Sequence, residues 1–182
     1  MYGMIHQAAR DLAVSRLGEA EWERLIAAEG LSGRHFIGVE YYSDAETMRL
    51  VALIASRLGL GMSETFYHFG RYWVDFAGAS AYGRVLQMAG DDLETFISNL
   101  DRMHASIKSN MPRAALPSFE LVESSPGAIQ VLYRSEREGL APFVQGILSA
   151  VAERFGEPAR VSYEVLRDGG VLFVLARGRA AA

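Results

Sequence analysis

The sequence predicts an α+β fold: a mostly helical first half, then a small antiparallel sheet of about four strands with one helix packed on it. Three observations lead there. From the start to about Asn110, apolar residues recur every three or four positions, the period of a helix with one buried face. After "NMPRAALPSF" the period drops to two, in short runs separated by turn residues. With 182 residues, 50% of them hydrophobic, the chain suits one domain whose core is large enough to enclose something.

The elements follow in order. "AEWERLIAAEG" and "TMRLVALIASRLGL" space their apolar residues helically and close on Gly30 and Gly59, the residue type that ends a helix because it takes the left-handed conformation without strain. "DDLETFISNLDRMHASI" opens on Asp91 and Asp92, acceptors for free N-terminal amides, and reads as one helix with the stripe Leu93, Phe96, Ile97, Leu100, Met103 and Ile107. "SFELVES" and "IQVLYRSER", joined by "SPGA", form a hairpin. "GLAPFVQGILSAVAERFG" is an amphipathic helix stopped at Gly156. "RVSYEVL" turns at "RDGG" into "VLFVLARG", a second hairpin, and an Ala-rich tail frays from the end. Residues 1–110 form the helical part and 111–182 the sheet-containing part; no linker or repeat divides them, so 1–182 reads as a single domain.

Composition narrows the function. A net charge of −4 gives no basic field for nucleic acid or anionic lipid. The absence of cysteine removes disulfides, zinc-thiolate sites and thiol nucleophiles, leaving four histidines as the main soft ligands. No basic leader with an apolar run opens the chain and no apolar segment approaches membrane-spanning length, so a cytoplasmic location is expected.

Two placements stand out. Along "IQVLYRSER", alternation directs Tyr133, Ser135 and Arg137 to the face of Ile129 and Val131, aiming two hydroxyls and a guanidinium at the interior. Such groups need acceptors if they are buried. The bland alternative puts the Tyr133 hydroxyl at the surface and pairs Arg137 with Glu136 or Glu138. His104, four residues after Leu100 and three before Ile107, falls inside an apolar helical stripe. On spacing alone the commoner outcome is a core histidine bonded to a carbonyl. His6, His35 and His68 stand at no two-histidine metal spacing with it, so a metal at His104 must take its other ligands from a cofactor. Heme held by one proximal histidine meets that need, and its two propionates would give Tyr133, Ser135 and Arg137 their acceptor.

The segments "MYGMI", "FGRYWVDF", "FISNLDRMH", "LPSF" and "YRSEREGL", spread over nearly the whole chain, resemble the heme nitric-oxide/oxygen-binding (H-NOX) family, which includes the heme domain of soluble guanylate cyclase. A Tyr-x-Ser-x-Arg pattern is weakly specific alone; with a histidine about thirty residues upstream and Pro-Ser-Phe between, it is strong. The resemblance implies the H-NOX fold, with heme b between the helical and sheet-containing parts. It implies that His104 is the proximal iron ligand, that Tyr133, Ser135 and Arg137 bind the propionates, and that Pro117 and Ile5 press on a porphyrin that also packs on Leu100 and Met103. Simple strand entry for Pro117 and core packing for Ile5 are compatible with those roles. The expected distal pocket comprises Tyr2, Met4, Trp73, Val74, Phe143 and Ile147.

Oxygen-binding members of the family carry a distal tyrosine that here falls at Pro142 or Phe143, neither of which donates a side-chain hydrogen bond. Trp73 and Tyr2 are the residues that could supply a donor instead. The expectation is therefore a sensor of nitric oxide, also taking carbon monoxide, that excludes oxygen and is not an enzyme. Because the chain shows no cyclase, kinase or coiled-coil segment, the resemblance implies signalling to a separate protein such as a histidine kinase or a cyclic-dinucleotide enzyme. Two other classes remain open: a carrier whose pocket takes a fatty acid or another tetrapyrrole with its carboxylate on Arg137, and a hydrolase pairing His104 with Asp101.

Overall fold

Ser43 begins the best-defined helix: its side chain accepts the Glu46 amide while Glu46 reaches back to the Ser43 amide, a reciprocal cap that fixes where helix α3 (Asp44–Leu58) starts. The computed structural model describes residues 1–30, 35–81 and 83–177. Before α3 come α1 (Gly3–Leu17) and α2 (Glu19–Ala28); after it come α4 (Met62–Ala79), α5 (Gly83–Gln87), α6 (Leu93–Ser98) and α7 (Leu100–Asn110). The second half holds strands β1 (Ser118–Ser124) and β2 (Ala128–Arg134), helix α8 (Ala141–Arg154), and strands β3 (Ala159–Val165) and β4 (Val171–Arg177). The Ala-rich tail and the last residue of "VLFVLARG" lie outside the described residues.

The four strands form one antiparallel sheet in the order β1-β2-β4-β3, so the two predicted hairpins are present and meet along β2 and β4. Ile129, Val131 and Tyr133 of β2 face inward with Phe173 and Leu175 of β4, all buried. This face, with α6 and α8, makes one hydrophobic core; α1 to α4 make the other. Full burial of a side chain such as Leu148 or Phe173 contributes about 1.5–3 kcal/mol.

Helices α4 and α8 join the two cores by crossing at van der Waals distance of their backbones. A Cβ at Gly70 would sit 1.9 Å from the Phe143 carbonyl oxygen, and one at Gly146 would sit 2.1 Å from that of Tyr67. Only glycine at both positions permits the approach.

Three expectations need correction. The helical half is interrupted by an irregular segment before Ser43, pinned to the chain start by a bridge between Tyr2 and Tyr41. The single helix expected over "DDLETFISNLDRMHASI" is two, because the chain breaks at Asn99, whose side chain donates to the Ala89 carbonyl at 2.7 Å. The expected cap holds, with Asp92 accepting the Thr95 amide at 2.8 Å. Finally, "YRSER" is not strand throughout: β2 ends at Arg134, paired with Ser118, because the next residue on β1's side is Pro117, which has no N–H to continue the ladder.

Candidate functional site

Between the two cores lies a cavity of about 530 Å³. Helices α1, α4 and α8 line one side; α7, the segment leading into β1, and the first residues of β1 line the other. Its walls are mostly apolar, and polar side chains gather at the mouth near the end of β2.

His104 lines this cavity from α7. Its Nδ1–H donates to the Pro117 carbonyl at 2.9 Å, which fixes the tautomer and leaves Nε2 as a lone-pair donor with no partner among the described residues. Burial lowers the pKa of the ring, against smaller opposing effects of the Pro117 bond and the Asp101 charge, and so favours the neutral form a metal requires. The expected carbonyl bond and the ligand role are thus compatible, one on each ring nitrogen. Asp101 does not pair with His104: its Oδ1 accepts the Phe119 amide at 2.8 Å. That removes the orienting carboxylate the hydrolase reading needed. Among the described residues no three histidine, aspartate or glutamate side chains gather into a metal site, so a metal at His104 needs donors from a cofactor.

Tyr133, Ser135 and Arg137 all line the mouth, although only Tyr133 is in the strand. Past the end of β2, Ser135 Oγ accepts the Arg137 amide at 3.0 Å, a turn that keeps both side chains on the cavity side. Burial raises the Tyr133 pKa, only partly countered by its bond with Ser135 and the Arg137 charge, so the phenol stays protonated and able to donate.

Arg137 pairs with neither Glu136 nor Glu138, both of which are exposed. Its partner is Asp44, at the first turn of α3, which takes Nε at 2.7 Å and Nη2 at 3.3 Å; Nη1 donates to the Ala115 carbonyl. Burial works against the guanidinium charge, but the Asp44 carboxylate outweighs it and the pKa is raised. Asp44 also accepts the Met1 amine at 2.9 Å. No local pattern announces this clasp, since Asp44 reads as part of a helix cap and lies far away in sequence.

The remaining predicted residues also line the cavity. Ile5 comes to it from α1 and Pro117 from the segment leading into β1, and Leu100 and Met103 come from α7. Met4, Trp73, Val74, Phe143 and Ile147 line the α1, α4 and α8 side. Tyr2 sits at the mouth, its hydroxyl accepting the Arg113 amide at 3.4 Å, a use the distal-donor idea did not foresee. The Trp73 ring stacks on Phe76 at 5.8 Å, and its indole N–H has no acceptor among the described residues.

The haem-NO-binding family profile matches residues 2–163. The chain belongs to that family. Its relatives include a soluble guanylate cyclase of Caenorhabditis elegans, gcy-35, 31% identical over 157 residues, which are 85% of this chain and 23% of the relative. A soluble guanylate cyclase beta-2 subunit of Rattus norvegicus is 39% identical over 87 residues, 48% of this chain and 13% of that protein. The chain thus spans less than a quarter of the length of these curated relatives. Among solved structures, an H-NOX protein from S. oneidensis in the Fe(II)NO ligation state superimposes with a TM-score of 0.85 at 18% identity, covering 98% of this chain and all of that one. Unliganded Fe(II) H-NOX from K. algicida gives 0.81 at 19% identity, covering 100% of this chain and 99% of that one. At these identities the likeness establishes the H-NOX fold, an α+β architecture shared over essentially the whole length. Among the described residues, no helix is long and apolar enough to cross a membrane.

Proposed function

We propose that this H-NOX chain, as one domain, holds heme b in the cavity between its two parts and senses nitric oxide. The observation that carries the reading is His104: a neutral imidazole in an apolar wall, its Nδ1–H committed to the Pro117 carbonyl and the lone pair of its Nε2 met by no hydrogen-bond donor among the described residues. The cavity suits an apolar macrocycle with acidic edges, since Tyr133, Ser135 and Arg137 bring hydroxyl and guanidinium donors together in a largely apolar lining. A heme held there through His104 would supply a ferrous iron able to take a diatomic gas.

The chain's own residues divide the work. His104 would ligate; Tyr133, Ser135 and Arg137 would hold the propionates; Leu100 and Met103 would pack against the ring, and Pro117 and Ile5 would press on it. On the distal side Phe143, Ile147, Val74 and Met4 offer no hydrogen bond, which favours nitric oxide, whose bond to ferrous iron is strong unaided, over oxygen. Carbon monoxide should bind as well. Loss of the tie between His104 and the cofactor on gas binding would free α7 to shift, changing the surface shown to a signalling partner such as a histidine kinase or a cyclic-dinucleotide enzyme.

The test is His104→Ala. Its ferrous and carbonyl spectra should change, and added imidazole should restore a heme spectrum; unchanged spectra in the variant would overturn the assignment. The carrier reading uses the same Arg137 site but leaves His104 without a task; with a fatty acid as cargo it predicts a colourless protein, and with another tetrapyrrole a spectrum that His104→Ala does not change.

A further inference from the structure

A second pair of residues, Tyr41 in the cavity wall and Arg113 stacked on its ring, suits an acid group. Tyr41, on the segment before α3, lines the same cavity as Arg137. The Arg113 guanidinium lies over the Tyr41 ring, 4.7 Å from its centroid. Tyr2 holds both from the side: its ring meets Tyr41 edge-on at 5.8 Å, and its hydroxyl accepts the Arg113 amide. The three residues come from the chain start, the irregular segment and the entry to β1, so the arrangement spans the mouth.

The charges do not balance without it. A heme presents two carboxylates, while Arg137 and the Met1 amine share the one carboxylate of Asp44, which leaves a single surplus cation before any ligand arrives. Arg113 is exposed and has no carboxylate partner among the described residues. Stacking on Tyr41 occupies the flat face of its guanidinium and leaves the in-plane N–H donors free.

We propose that Tyr41 and Arg113 form a second carboxylate site, which takes the propionate that Tyr133, Ser135 and Arg137 do not. This rests on the heme reading above. Tyr41 donates its O–H, and Arg113 supplies the second cation at the rim.

Heme transfer from the full chain to excess apomyoglobin tests it, run in parallel with heme whose propionates are methyl esters. Arg113→Ala should lose heme about fivefold faster and Arg113→Glu at least about tenfold faster, the range set by an ion pair at a partly exposed rim. Arg113→Lys should stay near the wild-type rate, because it keeps the charge, and Tyr41→Phe should show a smaller acceleration. With the ester all four should match wild type, and added salt should narrow the gaps. Wild-type rates for heme in Arg113→Glu would overturn the proposal. So would equal acceleration for heme and ester, which would mean packing alone. If the wild-type chain took up no heme, the cavity assignment itself would fall, a failure visible before any variant is made.

Discussion

The α4–α8 wall and the α7 wall face the same cavity and are built in opposite ways. Of the fourteen residues of α8, eight are buried, and the helix touches α4 backbone to backbone at Gly70 and Gly146. Of the eleven residues of α7, only Leu100 and Met103 are buried. Helix α7 is separated from α6 by the break at Asn99, and two side-chain bonds, from His104 to Pro117 and from Asp101 to Phe119, tie it to the start of the sheet. Close-packed glycine crossings resist displacement, whereas an exposed short helix with few buried groups is the kind of element that shifts. The candidate metal ligand stands on the more loosely packed wall, and Val74, Phe143 and Ile147, which the proposed function sets facing the gas, stand on the tightly packed one.

The comparison breaks first at the glycine crossing. Gly70→Ala should lower stability by about 3 kcal/mol, near 10 °C in Tm for a chain of this length, because the new methyl meets the Phe143 carbonyl rather than a flexible side chain. An unchanged thermal melt would mean that α8 yields as easily as α7. A smaller effect is expected at the hinge. Asn99→Ala removes the donor to the buried Ala89 carbonyl and favours a continuous helix, which should cost about 1 kcal/mol by chemical denaturation. Greater stability in that variant would show that the break is not held in place by this bond.

The smallest effect is electrostatic and sharpens the contrast. Arg71 on α4 clasps Glu153 on α8 through two hydrogen bonds of 2.9 and 2.7 Å, and that bonding lowers the Glu153 pKa against the opposing effect of burial. Because the folded value lies below the unfolded one, near 4.3, the clasp stabilises fully above that pH, and its contribution is lost as pH falls through the lowered folded value. Glu153→Gln should therefore flatten the acid limb of the stability profile slightly. An identical limb in both proteins would remove the clasp from the account of the fixed wall.

Much of this was legible in the residues. "SPGA" and "RDGG" named both hairpins, the stripe around His104 pointed it inward, and the alternation in "IQVLYRSER" put Tyr133 inside. What escaped is non-local. Asp44 meets Arg137 across 93 residues, about half the chain, and no spacing rule links a helix cap to a loop after a strand. Asn99 sits in an unbroken apolar stripe, so periodicity hid a break that depends on a carbonyl ten residues earlier. Gly70 and Gly146 did leave a trace: isolated glycines in "FGRYW" and "VQGIL" lower helix propensity in otherwise strong helices, a pattern that points to close packing.

The bond from His104 to Pro117 has a consequence for how this chain can vary. The acceptor is a main-chain oxygen, which every amino acid carries, so no substitution at position 117 can delete it; only a change in the path of the chain can. The ring of Pro117, by contrast, can be lost in a single step. Inherited change at this position is therefore free to alter the shape pressed against the cavity while the proton on the imidazole stays where it is. Contour and ligand chemistry, though they meet in one residue, can drift independently.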